Sequence, residues 1–351
     1  MSDFVLVLLV KGREPFTERW LEYMSKINFK YKIAIGNGNK KSDKYIKKLI
    51  NKKKYSNLNI EYYSYNNRNY KDYYYMMYDV VRKQKKTKFI KFCDNDDFIL
   101  PFQLENLIKL IKKDKKSISI GDRCMWFSLI GNKIYNKKIH FWPDNFYRLS
   151  ESFNIKDVKK IFIEFQESFY NIFKKKYILQ ILKEIHKINF SDLEIRDFYL
   201  KLRLMAFGKT KFYNQISYVR QHGTSETSVN NFLYTRNFTT RNISGYVNNL
   251  KKYLFKNIKI NTLSKNLIKD EIDKGYVNYL NNVVSHNLRA INKKKLFVFK
   301  KFLNKKFPAF LNLIRKTQYF KDNFLIQKKY YKDFDKFKIE LKFIQIFLKK
   351  N

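Results

Sequence analysis

Two cysteines, Cys93 and Cys124, are all that this 351-residue chain has. Two thiols build no disulfide framework, and a reduced, cytosolic setting is the simpler expectation. No apolar run approaches the ~20 residues needed to span a bilayer. The first apolar run, Phe4 to Val10, lacks a basic start and a small-residue cleavage site, so it is expected to be a strand and not a signal peptide. Acids are heavily outnumbered, 31 against 74 lysines and arginines, which leaves a formal charge of +43. Such a charge calls for anionic partners: nucleic acid, an acidic membrane surface or phosphorylated substrates. Glycine (9) and proline (4) are scarce as well, while lysine is dispersed alongside Asn, Ile, Tyr and Phe. That mixture looks like the coding bias of an AT-rich genome, so part of the charge belongs to solvated faces. No recognised nucleic-acid motif gathers it.

Hydrophobic residues make up 44% and aromatics 18%, which excludes a disordered basic tail and leaves core enough for one large or two modest domains. Phe4 to Val10 has the continuous apolar character of a strand covered on both faces of a parallel sheet. Lys11-Gly12-Arg13-Glu14-Pro15 breaks it, and Phe16 to Ile27 then has helical spacing, with Phe16, Trp20, Leu21 and Met24 on one face. Tyr31 to Ile35 is the next strand, ending in Gly36-Asn37-Gly38-Asn39. A basic helix is expected over Ser42 to Lys54, a third strand over Asn59 to Tyr65, and a Tyr- and Met-rich helix over Tyr73 to Lys83. Strands alternating with helices of this length predict a parallel, doubly wound sheet. Beyond it, Leu104 to Lys112 reads as helix, Ser117 to Asp122 as strand, Phe162 to Ile188 as mostly helix, and Phe212 to His222 as strand.

Between these lies Lys88 to Pro101, a short apolar strand that runs straight into Asp94, Asn95, Asp96 and Asp97 and leaves through Phe98-Ile99-Leu100-Pro101. Carboxylates at the carboxyl end of such a strand sit where open α/β sheets bind ligands. Three negative charges this close repel one another unless a cation joins them, and a hard divalent ion prefers oxygen ligands and bridges phosphates. The plainer alternative is a solvated acidic turn capping the helix that starts near Phe102.

The acidic stretch resembles the Asp-X-Asp segment of the family 2 glycosyltransferases, with Asp94, Asp96, Asp97 and Leu100-Pro101 in the matching places. The resemblance runs from Phe4 to Ser228 by the order of several weak motifs. It implies an α/β, GT-A fold: a Rossmann-like, mostly parallel sheet flanked by helices. The transferase domain would span 1–228, with a nucleotide-sugar half over about 1–122 and an acceptor half over about 123–228. Outside the resemblance, Leu263 to Ile291 and Leu296 to Lys350 alternate apolar and lysine residues at roughly helical spacing, so a basic helical C-terminal region is expected over 229–351. The implied activity is a metal-dependent, inverting transfer from a nucleotide-sugar, most simply a UDP-sugar, to a saccharide or lipid-linked acceptor in surface glycan or lipopolysaccharide-type assembly. Asp94 and Asp96 would hold Mn2+ or Mg2+, Asp97 would support them, and His222, after Arg220 and before the Gly223 to Ser228 loop, would lie near the metal. Lys11, Arg13, Asn37, Asp94, Asn95 and Arg220 would contact the donor. Asn37 stands where the family commonly has an aspartate; it would either bond a base edge or form an Asn-Gly turn with left-handed residues.

A second constellation, Glu194-Ile195-Arg196-Asp197 followed by Leu200, Arg203, Leu204 and Gly208, is similar to the family's acidic pair and the helix after it. Asp197 would be the general base, with Glu194 and Asp192 as alternates because Arg196 replaces the preceding acid. Asp192 or Asp197 would equally cap the helix expected over Phe198 to Phe207. After Asn230 no catalytic pattern stands out. Lys293 to Lys295, Lys300-Lys301 and Lys305-Lys306 beside Phe297, Phe299, Phe302 and Phe307 suit an anionic membrane face, or equally a helical appendage with solvated lysines. The expected location is cytoplasmic, at the inner face of the cell membrane where that face is used, with no specific nucleic acid as partner. Two other functional classes stand beside the enzyme: a nucleic-acid-binding protein or metal nuclease, and a non-catalytic GT-A-like scaffold.

Overall fold

The computed structural model describes residues 3–129, 134–135, 139–143, 152–153, 157–163, 168–190, 193–222, 240–258, 262, 264–279 and 334–349. β1 (Phe4–Val10), α1 (Glu14–Lys26), β2 (Lys32–Asn37), α2 (Asp43–Ile50), β3 (Ile60–Ser64), α3 (Tyr70–Lys83) and β4 (Phe89–Cys93) make the opening units. After the short β5 (Phe98–Ile99) come α4 (Pro101–Lys113), β6 (Ser117–Leu129), β7 (Ile139–Pro143), β8 (Ser152–Phe153), α5 (Val158–Ile163) and β9 (Ile172–Lys174). Then follow α6 (Lys175–Ile188), α7 (Leu193–Phe207), β10 (Lys209–Gln221), α8 (Thr240–Asn257), α9 (residues 264–279) and α10 (Phe334–Leu348).

One sheet runs in the order β3-β2-β1-β4-β9-β6-β10-β5, with β7 on β6 and β8 on β10. β3, β2, β1 and β4 are parallel neighbours, and β6 and β10 form a second parallel pair. β9, antiparallel to both β4 and β6, stitches the two together. The apolar run of β1 is explained by its two faces. Phe4, Leu6, Leu8 and Val10 enter one core with α1, α2 and α4, whereas Val5, Val7 and Leu9 enter another with α3, α6 and α7. The chain is thus a helix–sheet–helix sandwich, mixed α/β with helices on both faces.

The C-terminal helices belong to these same layers. Val247, Leu250 and Leu254 of α8 and Ile272, Tyr276 and Tyr279 of α9 join the second core; Phe337, Ile344, Phe347 and Leu348 of α10 join the first. Gly275 marks how closely α9 sits on α5, since an added Cβ would stand 2.5 Å from the Phe162 ring. The Lys293 to Lys306 runs and the Gly223 to Ser228 loop lie outside the described residues.

Three sequence expectations are corrected. The helix expected over Ser42 to Lys54 is an α-helix only over Asp43–Ile50, with a 3-10 turn on either side. The stretch expected as mostly helix over Phe162 to Ile188 is interrupted by β9; three residues are too few to display a period of two, and their strand state depends on β4 and β6 flanking them. The strand expected to end at Asp122 continues to Leu129 because β7 and β10 flank it.

α10 also carries a titratable joint. Its Glu340 accepts a hydrogen bond of 2.7 Å from the Phe102 backbone N–H, one of the unsatisfied donors at the start of α4. Burial pushes the Glu340 carboxyl from about 4.5 up to about 7. An acid whose folded pKa is raised favours the fold below its unfolded pKa and loses that contribution as pH rises through the folded value. Between pH 4.5 and 7 the wild type should therefore lose on the order of 2 kcal/mol that Glu340→Gln keeps. Thermal melts of both proteins across that window test it; parallel pH profiles would refute it.

Candidate functional site

Topology brings three separate segments to one edge of the sheet. β1 lies parallel to β4, with Leu8 opposite Cys93, so the chain leaves both strands on the same side. Lys11-Gly12-Arg13 therefore lies beside Asp94 to Asp97. β5, immediately after the acids, pairs antiparallel with β10, with Tyr218 opposite Ile99 and Val219 opposite Phe98. That pairing delivers Tyr218, Arg220 and Gln221 to the same edge.

Asp94, Asp96 and Asp97 each offer an oxygen to a group whose members lie within 4.8 Å of one another. Asp96 and Asp97 are 6% and 3% exposed, while Asp94 is half-buried. Asp97 is gripped on both oxygens: the Tyr218 hydroxyl donates to Oδ2 at 2.6 Å and the Gln221 N–H to Oδ1 at 2.8 Å. Asp94 Oδ2 accepts from the Tyr170 hydroxyl. The rings of Tyr170 and Tyr218 stack 4.6 Å apart, and the buried Lys91 ammonium donates to the Tyr170 carbonyl. Asp122, behind Lys91, is pushed up to about 6 by burial, with Lys91 opposing the rise. Burial, reinforced by the charge on Asp96, also raises the pKa of Asp94 and drives that of Asp97 well above the carboxylate range. A group that strains against its own ionisation and offers only hard oxygens suits a divalent cation such as Mg2+ or Mn2+. Asp94 and Asp96 are the natural ligands, since Asp97 already accepts a hydrogen bond on each oxygen.

Guanidiniums face these acids from three directions. Arg13, in the left-handed conformation at φ 58°, ion-pairs with Asp96 Oδ2 at 2.9 Å and donates to Asn95 Oδ1 at 3.0 Å. That backbone conformation is uncommon outside glycine and carries a strain cost, which the ion pair helps to hold. Arg19, buried in α1, donates to the Asp96 carbonyl at 2.6 Å and lies over the Phe16 and Phe98 rings. Burial pushes Arg19 down to about 10, against the pull of Asp96. Arg220 lies between the Trp126 and Tyr170 rings, 4.5 and 4.7 Å from their centres, with Nε 3.8 Å from Asp97 Oδ2.

The remaining predicted residues are placed as follows. Asn95 is buried, and its amide donates to Thr17 Oγ1 and the Arg13 carbonyl, tying the two loops together. Asn37 is fully buried: its amide nitrogen donates to the Tyr62 hydroxyl, Ser42 Oγ and the Asn39 carbonyl, and its oxygen accepts from the Asn39 N–H. Its turn holds no left-handed residue, contrary to the Asn-Gly alternative; Gly38 is needed because a Cβ there would stand 2.2 Å from the Asn67 amide. Lys11 is exposed. His222 is exposed with its ring edge-on to Trp126, and it is not a member of the acid group.

Asp197 lies inside α7, not at its cap, because the helix begins at Leu193. The Arg196 guanidinium donates through Nε and Nη2 to Asp197 Oδ1, at 2.9 and 2.6 Å. Arg196 is buried over the Phe169 ring, whereas the Asp197 side chain keeps 23% exposure. Burial raises the pKa of the Tyr73 hydroxyl, with Arg196 opposing the rise and Asp94 and Asp197 adding to it. Asp192 and the side chain of Glu194 lie outside the described residues.

Sequence reasoning missed Arg19, Lys91, Tyr170 and Tyr218. Lys91 had a signal: it is the one charge in the apolar strand Phe89–Cys93. Arg19 sits one residue before Trp20 on a helix whose apolar face was legible. The tyrosines had none, being two of 27.

Arg13→Ala would leave Asp96 facing Asp94 and Asp97 with one cation fewer, at a cost of about 1–3 kcal/mol. Added Mn2+ or Mg2+ should raise the melting temperature of this variant more than that of the wild type, because the ion takes the place of the lost guanidinium. Absent shifts in both proteins would show that the group holds no cation, and equal shifts that the ion does not take the guanidinium's place.

No family model and no curated protein sequence matches the chain. Among solved structures it is similar to S. aureus TarS, residues 1–349, with a TM-score of 0.51 and 11% identity over 78% of this chain and 72% of that one. The likeness is one of architecture: this chain has a GT-A-like fold.

Proposed function

We propose that the protein is a glycosyltransferase that moves a sugar, with inversion, from a nucleotide-sugar to an acceptor hydroxyl. The observation that carries this is the buried acid group at the carboxyl end of β4, faced by Arg13 and Arg220 on the edge where an open α/β sheet binds ligands. The GT-A-like fold, shared with a glycosyltransferase neighbour, agrees with it. A UDP-sugar is the donor we favour and a saccharide or lipid-linked saccharide the acceptor, in surface glycan assembly on the cytoplasmic side. Residues 1–228 would carry the transferase site, and helices from 229–351 complete the two cores beneath it.

Asp94 and Asp96 would hold Mn2+ or Mg2+, which when bound neutralises charge on the leaving diphosphate. Arg13 and Arg220 would bind the phosphate oxygens, the latter held flat by Trp126 and Tyr170. Tyr170 and Tyr218 fix the carboxylates, so the donor meets a frame already formed. Asp197 would take the acceptor O–H proton as the new bond to the anomeric carbon forms and the bond to the phosphate oxygen breaks. Arg196 holds its Oδ1 through two hydrogen bonds and so orients the carboxylate. Lys11 and His222, both exposed at this edge, would meet the outer part of the donor.

One observation favours a non-catalytic scaffold instead: the proposed metal ligand Asp96 and the proposed base Asp197 are each paired with a guanidinium of the same chain. Activity decides between them. A nucleotide-sugar with Mn2+ or Mg2+ should raise the melting temperature by a few degrees. Asp96→Asn should abolish that shift together with metal-dependent hydrolysis of the sugar. Asp197→Asn should keep the shift and lose on the order of 100-fold or more in transfer. A wild type that binds no nucleotide-sugar in the presence of metal would overturn the assignment.

A further inference from the structure

Among the described residues, the leucine, isoleucine, valine and phenylalanine side chains that stand exposed all belong to α9 and α10. On α10 they are Ile339, Phe343 and Ile346, at 68%, 36% and 62% exposure. Steps of four and three put them on one stripe of the helix. The opposite face is already satisfied, with Phe337, Ile344, Phe347 and Leu348 buried in the core. α10 is therefore apolar on two sides, and the fold accounts for one of them. Exposed Lys336, Lys338, Lys342 and Lys349 border the outer stripe; Asp335 is the exposed acid, since Glu340 turns inward to Phe102.

We propose that the outer face of α10 docks on an anionic lipid bilayer, with Ile339, Phe343 and Ile346 sunk at the headgroup–acyl boundary and the four lysines among the phosphates. The pattern is that of an interfacial helix: a short apolar stripe with ammonium groups on flexible stems beside it. Charge selects this occupant over a second copy of the chain. Two α10 stripes packed together would align lysines against lysines in a protein of net charge +43. Three side chains also provide far less than the ~1,000 Å2 that a stable protein interface buries. A bilayer takes the same lysines favourably, each adding attraction within a Debye length of the surface. The inner face of α10 meets Phe98, the residue after Asp97: the Phe347 ring lies 6.0 Å from Phe98 and 5.6 Å from Tyr23. Docking would thus hold the acid-bearing turn one helix away from the lipid surface. The inference is independent of the transfer chemistry, because it is read without turnover.

The test is co-sedimentation of the full chain with vesicles of phosphatidylcholine, with and without phosphatidylglycerol, at physiological salt. The wild type should partition onto the phosphatidylglycerol vesicles. Ile339→Asp combined with Ile346→Asp should lower that partition by at least ~10-fold while the melting temperature holds, both residues being exposed. Lys338→Glu with Lys342→Glu should lower it as well, with the apolar stripe intact. Binding that ignores the isoleucine substitutions would reduce the effect to diffuse charge and overturn the proposal. So would a concentration-dependent dimer dispersed by those substitutions, which would give the stripe to a second copy.

Discussion

Buried negative charge must be answered, and that constraint organises this protein. Asp96 and Asp97 are almost wholly out of water beside the half-buried Asp94, and burial, with the charge on Asp96 adding to it, pushes the pKa values of Asp94 and Asp97 upward. Arg13 arrives from the loop after β1, Arg19 from within α1 and Arg220 from the end of β10. None of the three is near the acids in sequence. Their convergence requires β1 beside β4 and β10 beside β5, so the sheet order and the charge balance presuppose each other.

A second tier holds the first in place. Tyr170 and Tyr218 reach the acids through their hydroxyls and support each other through their stacked rings. Lys91 anchors Tyr170 from below by its carbonyl, although burial lowers its pKa. A lysine in the middle of a buried strand is expensive unless it is needed. Its position between Asp122 and the tyrosine pair supplies the need. The acids are therefore fixed before any ligand arrives, which is the condition for electrostatic binding without reorganisation.

The first half of the fold was legible because burial on both faces writes itself as an unbroken apolar run, as in Phe4 to Val10. The acid group was legible because its three members fall within four residues, and Arg13 because it follows the first strand. Tyr170 and Tyr218 were not, since they act across 76 and 121 residues and a local window carries no trace of such partners. Arg196 stood out only as a replacement for an acid, and nothing local marked it as the partner of Asp197. Asn37 shows the converse limit. Its place at the end of β2 was read correctly, but its engagement by Tyr62 and Ser42 depends on β3 and on the turn before α2. The alternation of lysine and apolar residues near the C-terminus revealed helix, yet it did not reveal that α10 returns to the core of the first strands.

With all three aspartates ionised, formal charges at the acid edge balance against the three arginines. A divalent cation added alone would leave an excess of about two positive charges in a partly dry site, and a diphosphate alone an excess of about two negative ones. Either would be penalised; together they restore neutrality. The composition of the site therefore favours cation and diphosphate as a joint ligand over each separately. A site built only to hold a structural cation has no use for Arg13 and Arg220 at the same edge. A site built only for phosphate has no use for three clustered acids. Both sets are present, and the combination suits a cation-bound diphosphate, the group that the proposed donor would bring to this edge.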